Sequence, residues 1–154
     1  MKRELRLALS GFAALSVAVT GLGCESITNS VETAELAGLW IGSEVRFADP
    51  ANLNNTVDAI ALGYTLTLEV NSSGSYTRVI TPPGAPPDSV SGTLTVEDGK
   101  DITMTNASGN VATGEVFLEG DQVALLFDES GGLTVDIDGK GPRPVTLLAV
   151  MDRQ

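Results

Sequence analysis

The chain has 154 residues, 42% of them apolar and 19% charged, with a net charge of −11. That length leaves room for one compact domain and no second core. With no histidine and one cysteine, the chain cannot build a His or Cys zinc site, a Cys-His pair, a Ser-His-Asp triad or an internal disulfide. Its acidity argues against nucleic acid as a partner, because that affinity rests on Lys and Arg neutralising phosphates.

The chain opens on Lys2, Arg3 and Arg6, and residues 7–22, LALSGFAALSVAVTGL, follow without a charge. A positive start before an apolar run is the layout of a secretory signal. As a helix the run would reach about 24 Å, short of the ~30 Å hydrocarbon core that a permanent span must cross. Small residues Gly21 and Gly23 then lead into Cys24, the only thiol. Here the segment resembles a bacterial lipoprotein signal, in which a small residue precedes the cysteine that receives the lipid. It departs from that pattern in having Gly21 where Leu is usual and Leu22 next. Ordinary signal cleavage after Gly23, leaving Cys24 free, and an uncleaved anchor remain the alternatives. The resemblance implies a signal peptide over 1–23, lipid attachment at Cys24 and a place in the bacterial cell envelope. Glu25 stands where an Asp holds such lipoproteins at the inner membrane, so the outer membrane is the expected one in a diderm cell.

Without the first 23 residues the chain keeps 6 basic and 19 acidic side chains, a net charge of −13. Residues 25–35, ESITNSVETAE, are polar and lack Gly and Pro, so 24–35 reads as a lipid-bearing cysteine with a tether and the domain as 36–154.

From residue 36 onward apolar residues recur with a period of two, broken by Gly, Asn and Asp clusters every 8 to 12 residues, which predicts a sandwich or barrel of antiparallel strands. A first strand covers 39–47. Residues 48–62 read less clearly, with ADPANLNN as a loop and VDAIAL as an extension of the next strand or a helical turn. Tyr64, Leu66, Leu68 and Val70 then alternate with Thr65, Thr67 and Glu69, the NSSG turn follows, and SYTRVIT at 75–81 returns as the second arm of a hairpin. PPGAPPD at 82–88 is an exposed connection, since prolines lack the donor that a central strand needs. Val90, Gly92, Leu94 and Val96 resume the alternation, EDGKD turns it, and Ile102 and Met104 carry the next strand to the NASGN turn. A hairpin of 111–120 and 122–128 bends about Gly120 and Asp121. Leu133, Val135 and Ile137 alternate again, and PVTLLAVMD at 144–152, apolar on both faces, is expected to be covered or to close the sheet. The count is eight to nine strands.

Gly38 and Trp40 stand in the Gly-x-Trp arrangement that begins the first strand of lipocalins, and the run of hairpins ending in PVTLLAVMDR makes 36–153 similar to small bacterial lipocalin-like lipoproteins. That resemblance implies an all-β, up-and-down antiparallel barrel with Trp40 as a structural plug at its closed end, covered by an Arg that could be Arg143 or Arg153. The second and third lipocalin motifs are not recognisable. Closure has a separate physical motive, because an open sheet of eight strands leaves two unpaired edges. An eight-stranded barrel encloses just enough space for side chains or one small ligand.

Asp136 and Asp138, two apart on a strand with Lys140 beyond, are weak candidates for calcium, although the ligand spacing of an EF-hand is missing and Lys140 can neutralise a carboxylate without metal. Glu44, Glu69 and Glu115 could in principle pair across strands as acid and base, but no spacing selects a pair. No cofactor is implied. The expectation is a non-enzymatic, lipid-anchored binding or interaction module, either for a small apolar ligand or, as an acidic inhibitor or scaffold, for a basic envelope protein.

Overall fold

The computed structural model describes residues 30–127, 134–136 and 140–154, so the apolar leader, Cys24 and Asp138 lie outside the described residues. After a 3-10 turn at Thr33–Leu36 come β1 (Gly38–Asp49), β2 (Asn52–Asp58), β3 (Thr65–Val70), β4 (Ser75–Thr81), β5 (Asp88–Glu97), β6 (Asp101–Asn106), β7 (Val111–Glu119), β8 (Gln122–Phe127), β9 (Thr134–Val135), β10 (Arg143–Pro144) and β11 (Thr146–Arg153). Strands β3 to β8 pair each with the next, β8 pairs with β11, β1 pairs with β3, and β11 meets β1 to seal the ring. The fold is therefore a closed, eight-stranded antiparallel barrel. Strand β2 lies against β1 as a ninth strand of the same sheet, and β9 and β10 form a separate two-residue ladder.

The period of two explains the wall. Leu66, Leu68 and Val70 point inward from β3, Val123, Leu125 and Phe127 from β8, and Leu147, Ala149 and Met151 from β11, all buried in one core. Two turns share one chemistry. Asn71 accepts backbone N–H bonds from Ser73 and Ser75 through its side-chain oxygen, and Asn106 does the same for Ser108 and Asn110. Each is followed by a glycine with φ near 85°, Gly74 and Gly109, a conformation that side chains disfavour. Gly92 and Gly114 serve the wall differently. A Cβ there would overlap the carbonyl oxygen of Thr105 or Leu126 on the next strand, so only glycine allows the strands to bend this closely.

Strand β1 changes phase halfway. Trp40 faces inward, yet so do Val45 and Phe47, five and seven residues on. A register shift against β11 between Gly42 and Glu44 resets the alternation; without it Phe47 would face water. Past that point β1 also exchanges partners, from β3 at Gly38 to Ile41 to β2 at Arg46 to Asp49. The wedge is filled by residues 59–64, with the Ala59 N–H donating to the Val45 carbonyl at 2.8 Å and the Tyr64 N–H to that of Ala59 at 2.9 Å.

Several boundaries differ from the sequence reading. Strand β2 begins at Asn52 within ADPANLNN, expected as loop, and runs into VDAIAL as far as Asp58; its alternate residues are at most half-buried, so it shows no apolar rhythm. Pro144 belongs to β10, and the closing strand begins at Thr146. Packing also starts before residue 36. Val31 is buried and its N–H donates to the Gly99 carbonyl at 2.7 Å, so the last part of the polar 24–35 segment is docked on the barrel.

Candidate functional site

The barrel has two unlike ends. At the end where β1 begins, the short turn Thr33–Leu36 crosses beneath the strands. Thr33 Oγ1 accepts the Val96 N–H at 3.0 Å, and Leu36 is buried in the core. Trp40 lies above it with no exposed surface, and its indole N–H donates to the Leu36 carbonyl at 2.8 Å. Arg153 pairs in register with Trp40 and places its guanidinium carbon 4.4 Å from the indole centroid. The same guanidinium donates to the carbonyls of Ala37 at 2.6 Å and Glu35 at 2.9 Å, and its Nε lies 3.4 Å from Asp121. Trp40 and the turn beneath it plug this end of the barrel, and register lays Arg153 over the indole. Arg143 sits elsewhere, 3.7 Å from Asp49 on the outgoing half of β1.

Inside the wall, the alternation Tyr76, Arg78, Ile80 sends one cation into apolar surroundings, level with Leu68 on β3 and Val90 on β5. Its Nε is buried and finds no hydrogen-bond partner among the described residues. Burial holds the Arg78 pKa below its ordinary value, partly offset by Tyr76 and by the Asp88 carboxylate. Burial likewise raises that of Tyr76, against the pull of Arg78. The sequence carried this signal as parity within SYTRVIT, but the hairpin reading did not use it.

At the opposite end, Val45, Phe47, Ile60, Tyr64, Leu66 and Ile80 surround an apolar recess. Phe47 and Tyr64 meet edge-on there, centroids 5.5 Å apart at 81°. The recess measures about 190 Å³ including open solvent, and encloses ≈ 0 Å³ that a water could occupy. Ligand pockets commonly hold ~300 to 1,000 Å³. The side chains here fill the space themselves.

The carboxylates are dispersed. Asp136 is exposed beside the short strand β9, and its suggested partner Asp138 lies outside the described residues. Among the described residues no three His, Cys, Asp or Glu gather closely enough to hold a metal. Glu44 pairs with Arg46 at 2.9 Å, Glu115 lies 3.8 Å from Lys100, and Glu69 faces out from β3 beside Thr77. No two of these three stand opposite each other in the register of neighbouring strands.

No family model matches the chain, and no curated protein matches it. Among solved structures the chain is similar to a de novo designed fluorescence-activating β-barrel, at 16% identity and a TM-score of 0.45, over 80% of this chain and 99% of that one. The class is set by the chain's own geometry. It is an all-β, closed eight-stranded antiparallel barrel, with Trp40 buried at one end beneath Arg153.

Proposed function

We propose that this protein is a lipid-anchored component of the bacterial cell envelope, non-enzymatic, that works through its outer surface as a protein-interaction module. The observation that carries the reading is packing: among the described residues apolar side chains form one buried cluster and the recess by Tyr64 encloses no room for a water, so a ligand carried there would first have to displace them. The net charge of −13 beyond residue 23 suits a basic partner and association that weakens with salt. Six residue steps separate Cys24 from Ser30, a reach of at most about 21 Å, so lipid on Cys24 would turn the plugged end toward the bilayer and the Tyr64 end away from it.

Two measurements test this reading. Intact mass of the mature protein from membranes should show a chain beginning at Cys24 with a diacylglyceryl group on its sulfur; residues retained before Cys24, or a bare thiol, refute the anchor. Solvent extraction followed by mass spectrometry, with titration of a fluorescent fatty acid, should find no co-purifying apolar compound and no uptake. Stoichiometric uptake would restore the carrier.

A further inference from the structure

The closing strand is apolar on both faces, and its inward face is explained by the core. Its outward face is not. Leu148 and Val150 point away from the barrel, and register places them beside Leu126 and Ala124 of β8, with Phe117 of β7 next to Ala124. Phe117 is 42% exposed, and the other four are half-buried. Ile41, 39% exposed, stands diagonal to Val150 across Asp152. The result is one contiguous apolar surface over β7, β8, β11 and the start of β1, about 10 to 15 Å across at ~4.8 Å per strand.

Its border is acidic. Glu115 flanks Leu126, Glu119 follows Phe117 on the same face, Asp152 follows Val150, and Glu44 lies opposite Val150. Two cations also border it: Arg46, opposite Leu148 in register and paired with Glu44, and Lys100, 3.3 Å from Asp101 and 3.8 Å from Glu115, so the rim is acidic in sum. An apolar centre inside a rim whose four carboxylates outnumber its two cations restricts what can sit on it. A second copy would bring its own acidic rim against this one, and an anionic lipid surface would meet the same repulsion. The strands beneath are paired on both sides, so a partner cannot add a strand by its backbone and must be read by side chains.

We propose that this face docks a cationic amphipathic helix, with an apolar stripe on Phe117, Leu126, Leu148 and Val150 and flanking Lys or Arg against Glu115, Glu119, Asp152 and Glu44. The patch matches the ~10 Å diameter of one helix. This inference deepens the interaction-module reading and rests on it.

The test titrates the purified mature protein, held in phosphatidylcholine vesicles if lipidated and free in buffer if not, with an 18-residue Leu/Lys amphipathic peptide. A peptide of equal charge with Ser for every Leu is the control, and empty vesicles are the reference. The Leu/Lys peptide should bind at least tenfold tighter than its control. Phe117→Ser with Val150→Ser should abolish that preference, while Glu115→Gln with Glu119→Gln should weaken both peptides and flatten the salt dependence. Val150→Thr, nearly isosteric and on the outer face, serves if the double variant melts early by circular dichroism, and should lower the preference at least twofold. Equal binding of the two peptides, or wild-type binding by the patch variants, overturns the proposal. So does sedimentation showing self-association that Phe117→Ser removes, because it assigns the face to a second copy. Failure here with no fatty-acid uptake removes only this face, whereas uptake removes the parent reading.

Discussion

The plugged end and the Tyr64 end of the barrel are both apolar, yet they are held differently. At the plugged end one guanidinium donates to two carbonyls of the chain crossing beneath it, lies over the indole, and is itself supported by Asp121. At the other end Phe47 and Tyr64 meet edge-on over a recess with no hydrogen bond from the Tyr64 hydroxyl among the described residues. Side-chain hydrogen bonds fix the first in one geometry, whereas at the second the backbone of residues 58–64 is bonded and the Phe47 and Tyr64 side chains meet by packing. The difference teaches that the Tyr64 end is the more adaptable one, and that stability should respond more steeply to changes at Trp40.

Trp40→Ala should break the comparison most sharply, costing about 3 to 5 kcal/mol in urea unfolding, since a fully buried indole is lost and the Leu36 carbonyl is left without its donor. Arg153→Met keeps the length of the side chain but removes both carbonyl bonds and the cation over the ring, and should cost about 2 to 3 kcal/mol. At the Tyr64 end, Tyr64→Leu removes only the edge-on ring pair and some area, so the unfolding free energy should fall by about 1 kcal/mol. If Tyr64→Leu proves as damaging as Arg153→Met, the two ends are equally rigid and the distinction fails.

Arg78→Met sharpens the contrast from within the wall, because its sign is opposite. Arg78 is half-buried, with its Nε buried and lacking a partner among the described residues, so replacing it with an apolar side chain should raise stability at pH 7 by about 1 kcal/mol. A loss instead would show that the charge is compensated. The smallest effect concerns pH. Tyr76 holds its proton more tightly folded than unfolded, so its contribution is complete below the ordinary phenol value of 10.0 and is lost as pH rises through the higher folded value. Tyr76→Phe should therefore flatten the alkaline part of the stability profile, measured as midpoint against pH from 8 to 11.

The strand pairs from 64 to 127 were legible because each buries one face, and a rhythm of two is visible without any partner. Strand β2 was not, since its residues face solvent or are half-covered and its pairing is dictated by β1. The docking of Val31 was hidden for a similar reason, as a single apolar residue in a polar segment has no period. Trp40 could be named from Gly38 and its neighbours, but choosing Arg153 over Arg143 required register, which places Arg153 in the inward series with Leu147, Ala149 and Met151. The outer patch was half legible, since the apolar outward face of 144–152 stood in the sequence while the contributions of Phe117 and Leu126 came only with strand order.

The chain holds one indole, and it lies wholly inside the plugged end. Its ultraviolet emission is therefore a dye already installed at one address. A peptide settling on Phe117 or a shift near Tyr64 would leave that glow unchanged in colour, whereas loosening of Leu36 from Arg153 would redden it as water reaches the ring. One cuvette can thus tell which end of the molecule has given way, with no label added.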